Sequence, residues 1–248
     1  MGVISSESIF HFTSKNNLMT ILRDTFYPRL CHERIELKDG VIKAYFPMVS
    51  FCDIPLSQVK EHIRYYGEYG LGMSRSWAER KGLNPVMYIR KGSRLSAHIQ
   101  ALPKILRAEP GPKRAAADIQ DTAVSILQYA KAFEGTWLKG KSTGRRIKFY
   151  NEREIRYVPL ARSAGFYFLT EKEHQDEDRR EKAKSVLEKF PLSFEPDDIK
   201  YIIISKDSER VEMARAVWET RSRPNYTDDI RMELITKIIS CEQIKEDF

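Results

Sequence analysis

The chain has 248 residues, 42% of them hydrophobic and 11% aromatic, with a formal charge of +7. That composition excludes a disordered chain and is ample for one large domain or two small ones. No run reaches the roughly 18 to 20 apolar residues that cross a bilayer, and MGVISSESIFHF lacks the basic and apolar blocks of a secretion signal. A soluble, cytoplasmic protein without a membrane partner is therefore expected.

In chain order, IFHFTS (Ile9 to Ser14) reads as a short buried strand. NNLMTILRDTF follows with Leu18, Ile21, Leu22 and Phe26 at helical spacing, and Asn16 or Asn17 could cap it. The apolar run from Ala44 to Pro55 ends in a turn, with a helix expected over about Leu56 to Tyr65. YGLGMS predicts a strand, SWAERKG a short helix closed by Gly82, and PVMYIRK a further strand. Helical patterns run from Leu95 to Leu106 and from Ala115 to Phe133, broken by AEPGPK. IKFYN, EIRYVPL and FYFLT read as strands. The segment from Glu171 to Phe190 is so charged that it reads as an exposed helical excursion. KYIIIS is β-branched and belongs inside a sheet. SERVEMARAVWET, capped by Ser208, and TDDIRMELITKII, capped by Thr227, close the chain as helices.

No internal repeat or linker divides the sequence, and its strands and helices do not alternate strictly. These features predict one α+β domain over 1–248, with core strands in about 9–160 and 200–205, an excursion over 171–190 and helices over 208–240. There is no GxGxxG after the first strand and no GxxxxGK[ST], which argues against dinucleotide binding on a Rossmann scaffold and against P-loop chemistry. Cys31, Cys52 and Cys241 have no CxxC spacing, so free buried thiols are expected and no metal site.

Four stretches could carry chemistry. Lys139, Lys141, Arg145, Arg146 and Lys148 form the densest basic run, either a solvated loop or a contact for nucleic-acid phosphates. Just downstream, FYNEREIRYVPL places Glu152 and Glu154 two apart, on one face if this is a strand. Such a pair is either a solvated strand end or two acids aimed into a cleft. His11 and Thr13 alternate with Phe10 and Phe12, so they face a groove or solvent if those aromatics enter the core. YYGEYGLGMSRSW gathers tyrosines and serines around glycines that would let a ligand or another backbone come close.

Taken in order, FHFTSKNNLMTIL, YGEYGLGMSRSWA and EREI resemble the ADP-ribosyltransferase fold, in particular DarT-type and poly(ADP-ribose) polymerase-like enzymes. That resemblance implies a split β-sheet core and NAD as substrate, with transfer of ADP-ribose to a nucleic acid, RNA or DNA, or to a translation-related target. It implies Glu154 and Glu152 as catalytic residues: Glu154 stabilising the oxocarbenium-like cation and Glu152 activating the acceptor. His11 and Thr13 would hold ribose, while Ser50, Phe51, Tyr66, Tyr69 or Ser74 would line the nicotinamide pocket. Arg145, Arg146 and Lys148 would contact nucleic acid. The chain departs from the family pattern in having no STS triplet. At closer range FHFTS, MVSFCDIPLSQVKEHIRYYGEYGLGMS, NPVMYI and YNEREIRYVP resemble the AbiGi-type abortive-infection family. Members of that family are labelled antitoxins, which implies a partner protein from a neighbouring gene. The alternative to an enzyme is thus a non-catalytic member of an abortive-infection pair that binds a partner protein or DNA.

Overall fold

The structure, a computed structural model, describes residues 7–108, 113–137, 143–160, 164–220 and 226–247. β1 (Ser8–Thr13) is the expected opening strand. The cap of α1 (Lys15–Arg23) is Ser14, not an asparagine: its Oγ accepts the Asn17 N–H at 3.3 Å. β2 (Arg29–Glu36) has no apolar alternation to announce it. It forms by pairing with β3 (Val41–Cys52), from Arg29 opposite Met48 to Glu36 opposite Val41. A 3₁₀ turn leads into α2 (Val59–Tyr66), followed by β4 (Tyr69–Ser74) and α3 (Arg75–Arg80), as the periodicity requires.

Short strands β5 (Asn84–Pro85) and β6 (Met87–Ile89) precede α4 (Arg94–Ala108) and α5 (Lys113–Gln128). The helix expected to reach Phe133 stops at Gln128, because the next residues form β7 (Ala130–Ala132), parallel to β6. β8 (Gly135–Thr136) and β9 (Arg146–Ile147) pair antiparallel. A 3₁₀ turn at Phe149–Glu152 then precedes β10 (Glu154–Tyr157). FYFLT is not a strand; its Leu169 makes a single bridge to Tyr45. The charged excursion is two helices, α6 (Glu171–Gln175) and α7 (Glu177–Leu187), capped by Thr170 and Asp176. After β11 (Ile199–Ile204), Ser208 lies within a 3₁₀ turn and does not cap α8 (Arg210–Trp218). Thr227 does cap α9 (Asp228–Thr236). The last Ile-Ile of that predicted helix is instead β12 (Ile238–Ser240), followed by α10 (Cys241–Asp247).

The chain groups into two compact units, the first made of Met1–Phe26, Ser50–Leu83 and Pro191–Phe248. Its strands lie in the order β12, β11, β4, β1, followed by the end of β3. β1 and β4 pair antiparallel along their whole length, from Ser8 opposite Ser74 to Thr13 opposite Tyr69. β11 runs antiparallel to β4 and parallel to β12. Gly70 of β4 and Gly67 just before it answer to the backbone of β1. A Cβ on Gly70 would lie 2.5 Å from the His11 carbonyl oxygen, and one on Gly67 (φ +120°) 2.4 Å from that of Thr13. Phe10, Phe12, Ile54, Val59, Ile63, Ile203 and Ile244 form a core whose side chains each contribute about 1.5–3 kcal/mol by burial.

The second unit comprises Tyr27–Val49 and Asn84–Phe190. Here β3 pairs with β2 and neighbours β10, which pairs in turn with β5 through Ile155 opposite Pro85. One apolar cluster gathers Ile35, Leu37, Ile89, Ile99 and Ala130, and another Ala44, Phe46 and Met48. Both units mix helices with mainly antiparallel strands, in keeping with the expected α+β class.

Candidate functional site

The second unit holds a buried charge network around the predicted acids. Glu152 is the last residue of a 3₁₀ turn, and Arg153 turns the chain through φ +46° and ψ 51°, so β10 begins only at Glu154. The two glutamates therefore do not share a strand face, as alternation had suggested. A lysine from elsewhere brings them together. Lys131 Nζ on β7 lies 2.8 Å from Glu152 Oε2 and also donates to Glu154 Oε2. Alternation operates one step further along: Arg156, two residues after Glu154 on β10, donates from Nε to Glu154 Oε1 at 2.6 Å. The same guanidinium reaches the Gln128 carbonyl at 2.7 Å and Glu33 Oε1 at 2.6 Å. The Glu154 backbone N–H donates to Tyr88 Oη at 2.8 Å.

Arg156 is completely buried, and Lys131, Glu152 and Glu154 are nearly so. Two cations thus face three carboxylates away from bulk water, an arrangement that desolvation makes costly unless every charge is partnered. Burial is the strongest influence on the Glu154 carboxyl and pushes it up, but the charges of Arg156 and Lys131 outweigh it. Glu154 is held well below the usual carboxylate range. Burial likewise works against the Arg156 cation, and Glu154 and Glu33 reverse it, holding the guanidinium above its ordinary value. Burial raises the Tyr88 phenol. Such a Glu154 stays ionised, with each of its oxygens in contact with a cation, and its proton affinity is far from that of a general acid or base working near neutrality.

The other predicted residues lie in the first unit, or at the basic run of the second. His11 Nδ1 is 2.8 Å from the Ser50 carbonyl oxygen, which can only accept, so Nδ1 carries the proton. Its ring stands edge-on to Phe26 and tilted to Phe51, at 5.3 and 5.6 Å, and Phe51 is buried against Trp77. His11, Ser50 and Phe51 are therefore together, within an aromatic cluster. Thr13 Oγ1 accepts from Asn17 Nδ2 at 3.0 Å. Tyr66 stacks on His62 at 4.3 Å. Tyr69 Oη donates to Glu209 at 2.8 Å, and burial first, then that carboxylate, pushes its phenol up to about 12. Ser74 Oγ caps α3 by accepting the Trp77 N–H at 3.2 Å.

Arg145, Arg146 and Lys148 are exposed, and Arg146 pairs with Glu134 at 3.1 Å. Lys139 and Lys141 of the same run lie outside the described residues. Among the described residues no group of three or more His, Cys, Asp or Glu could hold a metal ion, and no helix is long and apolar enough to cross a membrane. All three cysteines are free thiols; Cys52 and Cys241 are buried, while Cys31 is only half-buried.

Sequence reasoning missed Lys131, Arg156, Glu33, Tyr88 and Glu209. Arg156 alone had a local signal, the E-I-R spacing that puts opposite charges on one strand face.

Comparison with known proteins places these observations in a family. The chain is 26% identical over 245 residues to the abortive phage resistance protein AbiGi of Lactococcus lactis subsp. cremoris, a match covering 90% of this chain and 95% of that relative. No solved structure matches the chain. The sequence pattern of the family described as "abortive phage resistance protein AbiGi, antitoxin" spans residues 24–205, which include the second unit with its charge network. The chain belongs to the AbiGi family.

Proposed function

We propose that the protein is a non-catalytic antitoxin of an abortive phage-resistance pair, which works by binding and restraining a partner protein. The observation that carries this reading is the commitment of Glu154: it is buried, and its two oxygens contact Arg156 and Lys131. A transferase would need that carboxylate open to a ribose hydroxyl and to the positive charge that develops as nicotinamide leaves. Here the same charge balances two buried cations, a structural duty. The family description and the name of the lactococcal relative support the placement in phage defence, and the family description supports the antitoxin role.

The test pairs two measurements. The protein is co-expressed with the product of its neighbouring gene and purified, and it is separately incubated with labelled NAD and cell extract. A stable complex that relieves the partner's toxicity, with no label transferred, is the expected result. Transfer of label to protein or nucleic acid, abolished by Glu154→Gln in a variant that still folds, overturns the reading in favour of an ADP-ribosyltransferase.

A further inference from the structure

The basic run of the second unit has a property its composition alone did not reveal. From Arg146 to Tyr150 exposure alternates: Arg146, Lys148 and Tyr150 are open to solvent, while Ile147 and Phe149 are half-buried. β9 is extended and Lys148 continues it at φ −92° and ψ 99°, so the Arg146 and Lys148 side chains leave on one side, and the 3₁₀ turn that begins at Phe149 follows directly with Tyr150 exposed. Two exposed cations and an exposed aromatic ring lie within residues 146–150, beside exposed Arg145.

Tyr150 is 53% exposed, yet its ring is fixed. It stacks on Phe133 at 5.2 Å with 25° between planes, and stands edge-to-face with Tyr88 at 5.3 Å. Its backbone N–H donates to the Phe133 carbonyl at 3.1 Å. The Arg90 guanidinium lies 6.0 Å over the Phe133 ring. Three residues on, Arg153 closes the presenting turn with φ +46°, a left-handed conformation that side chains other than glycine seldom adopt. Residues 145–153 hold four Lys or Arg and one Glu, and that Glu152 is buried against Lys131. Glu134 pairs with Arg146, and because that pair is solvent-exposed it contributes little.

We propose that this face binds single-stranded nucleic acid, with Tyr150 stacking on one base and Arg145, Arg146 and Lys148 contacting the flanking phosphates. A fixed flat ring among cations matches a chain of alternating bases and phosphates. It can be stacked upon only where bases are unpaired, which selects single strands over duplex. The proposal is independent of the antitoxin reading, since it concerns a different surface from the buried Glu154.

The test is fluorescence anisotropy of the full chain with a labelled oligouridine, and with duplex RNA of equal length, across a salt series. The single strand is expected to bind more tightly than the duplex. Tyr150→Ala should weaken that binding about tenfold, and Tyr150→Phe should preserve it. Arg146→Ala or Lys148→Ala should each lower the log–log salt slope by about 0.7. If Tyr150→Ala fails to fold, Tyr150→Leu, which keeps apolar bulk without a flat ring, is held to the same tenfold criterion. Absence of binding at low salt, equal affinity for duplex, or unchanged affinity on loss of the ring overturns the proposal. So does a Tyr150→Ala chain that keeps oligonucleotide binding but no longer co-purifies with the neighbouring gene's product, which would make this a protein interface.

Discussion

Glu154 Oε1 accepts a hydrogen bond from Arg156 Nε at 2.6 Å, two residues further along the same strand. By shape alone Glu154→Gln is a mild change, and a glutamate facing an open cleft would tolerate it. In this setting it removes one of the two carboxylates that face Lys131, which keeps Glu152, and one of the two that face a fully buried Arg156, which keeps Glu33. Breaking a buried pair in this way costs about 3–5 kcal/mol, so the variant should unfold at clearly lower denaturant concentration. An unchanged midpoint would mean that water reaches these cations.

The same network sets the acid behaviour of the fold. Glu154 is lowered from an ordinary value of 4.5 because Arg156 and Lys131 outweigh the effect of burial. A depressed folded-state value contributes stability that is present above the unfolded-state value and lost as pH falls through the folded one. Thermal unfolding followed from neutral pH downward should therefore show stability held until about pH 4.5 and then declining. The decline should be shallower in Arg156→Met, where a main cause of the shift has been removed.

Thiol chemistry separates the three cysteines. Cys241 Sγ donates to the Glu68 carbonyl at 3.2 Å, and burial above all pushes its thiol from 9.0 up to about 12. Since the thiolate is the reacting species, alkylation of the native protein near neutral pH should modify half-buried Cys31 first and spare Cys52 and Cys241. Peptide mapping after timed alkylation checks this. The raised value also means that Cys241 favours the fold below pH 9.0, a contribution lost as pH climbs towards about 12.

Gly70→Ala should cost at least about 1–3 kcal/mol. Its methyl group would meet the His11 carbonyl, backbone that cannot swing aside, and the β1–β4 ladder would have to part. Gly40→Ala is the control, because nothing lies within 4 Å of a Cβ there. Equal melting temperatures for the two variants would count against the close packing of β1 on β4.

How much of this could be read beforehand depended on distance along the chain. β1, α1, β4 and β11 follow from periodicity within a few residues, and they fall where the sequence puts them. β2 and β12 have no such signature, since each becomes a strand through the partner it pairs with. The acidic pair was legible as a cluster, and its relation to Arg156 could have been taken from strand alternation. Lys131 lies 23 residues before Glu154, and Glu33 lies 123 before Arg156, separations at which no local pattern links one charge to another. The glycines near Tyr69 had two readings, room for a ligand or room for backbone. Those at 67 and 70 answer to backbone.

The first unit is assembled from three separate stretches of chain, the last beginning at Pro191, whereas every residue of the second has been made by Phe190. During translation the second can therefore mature while β11, and later β12, are still inside the ribosome or not yet synthesised. A nascent chain released early would leave β4 without its β11 neighbour, an uncovered edge that invites aggregation. Closure of the first unit thus reports that synthesis has passed β12, because the unit lacks two of its strands until then.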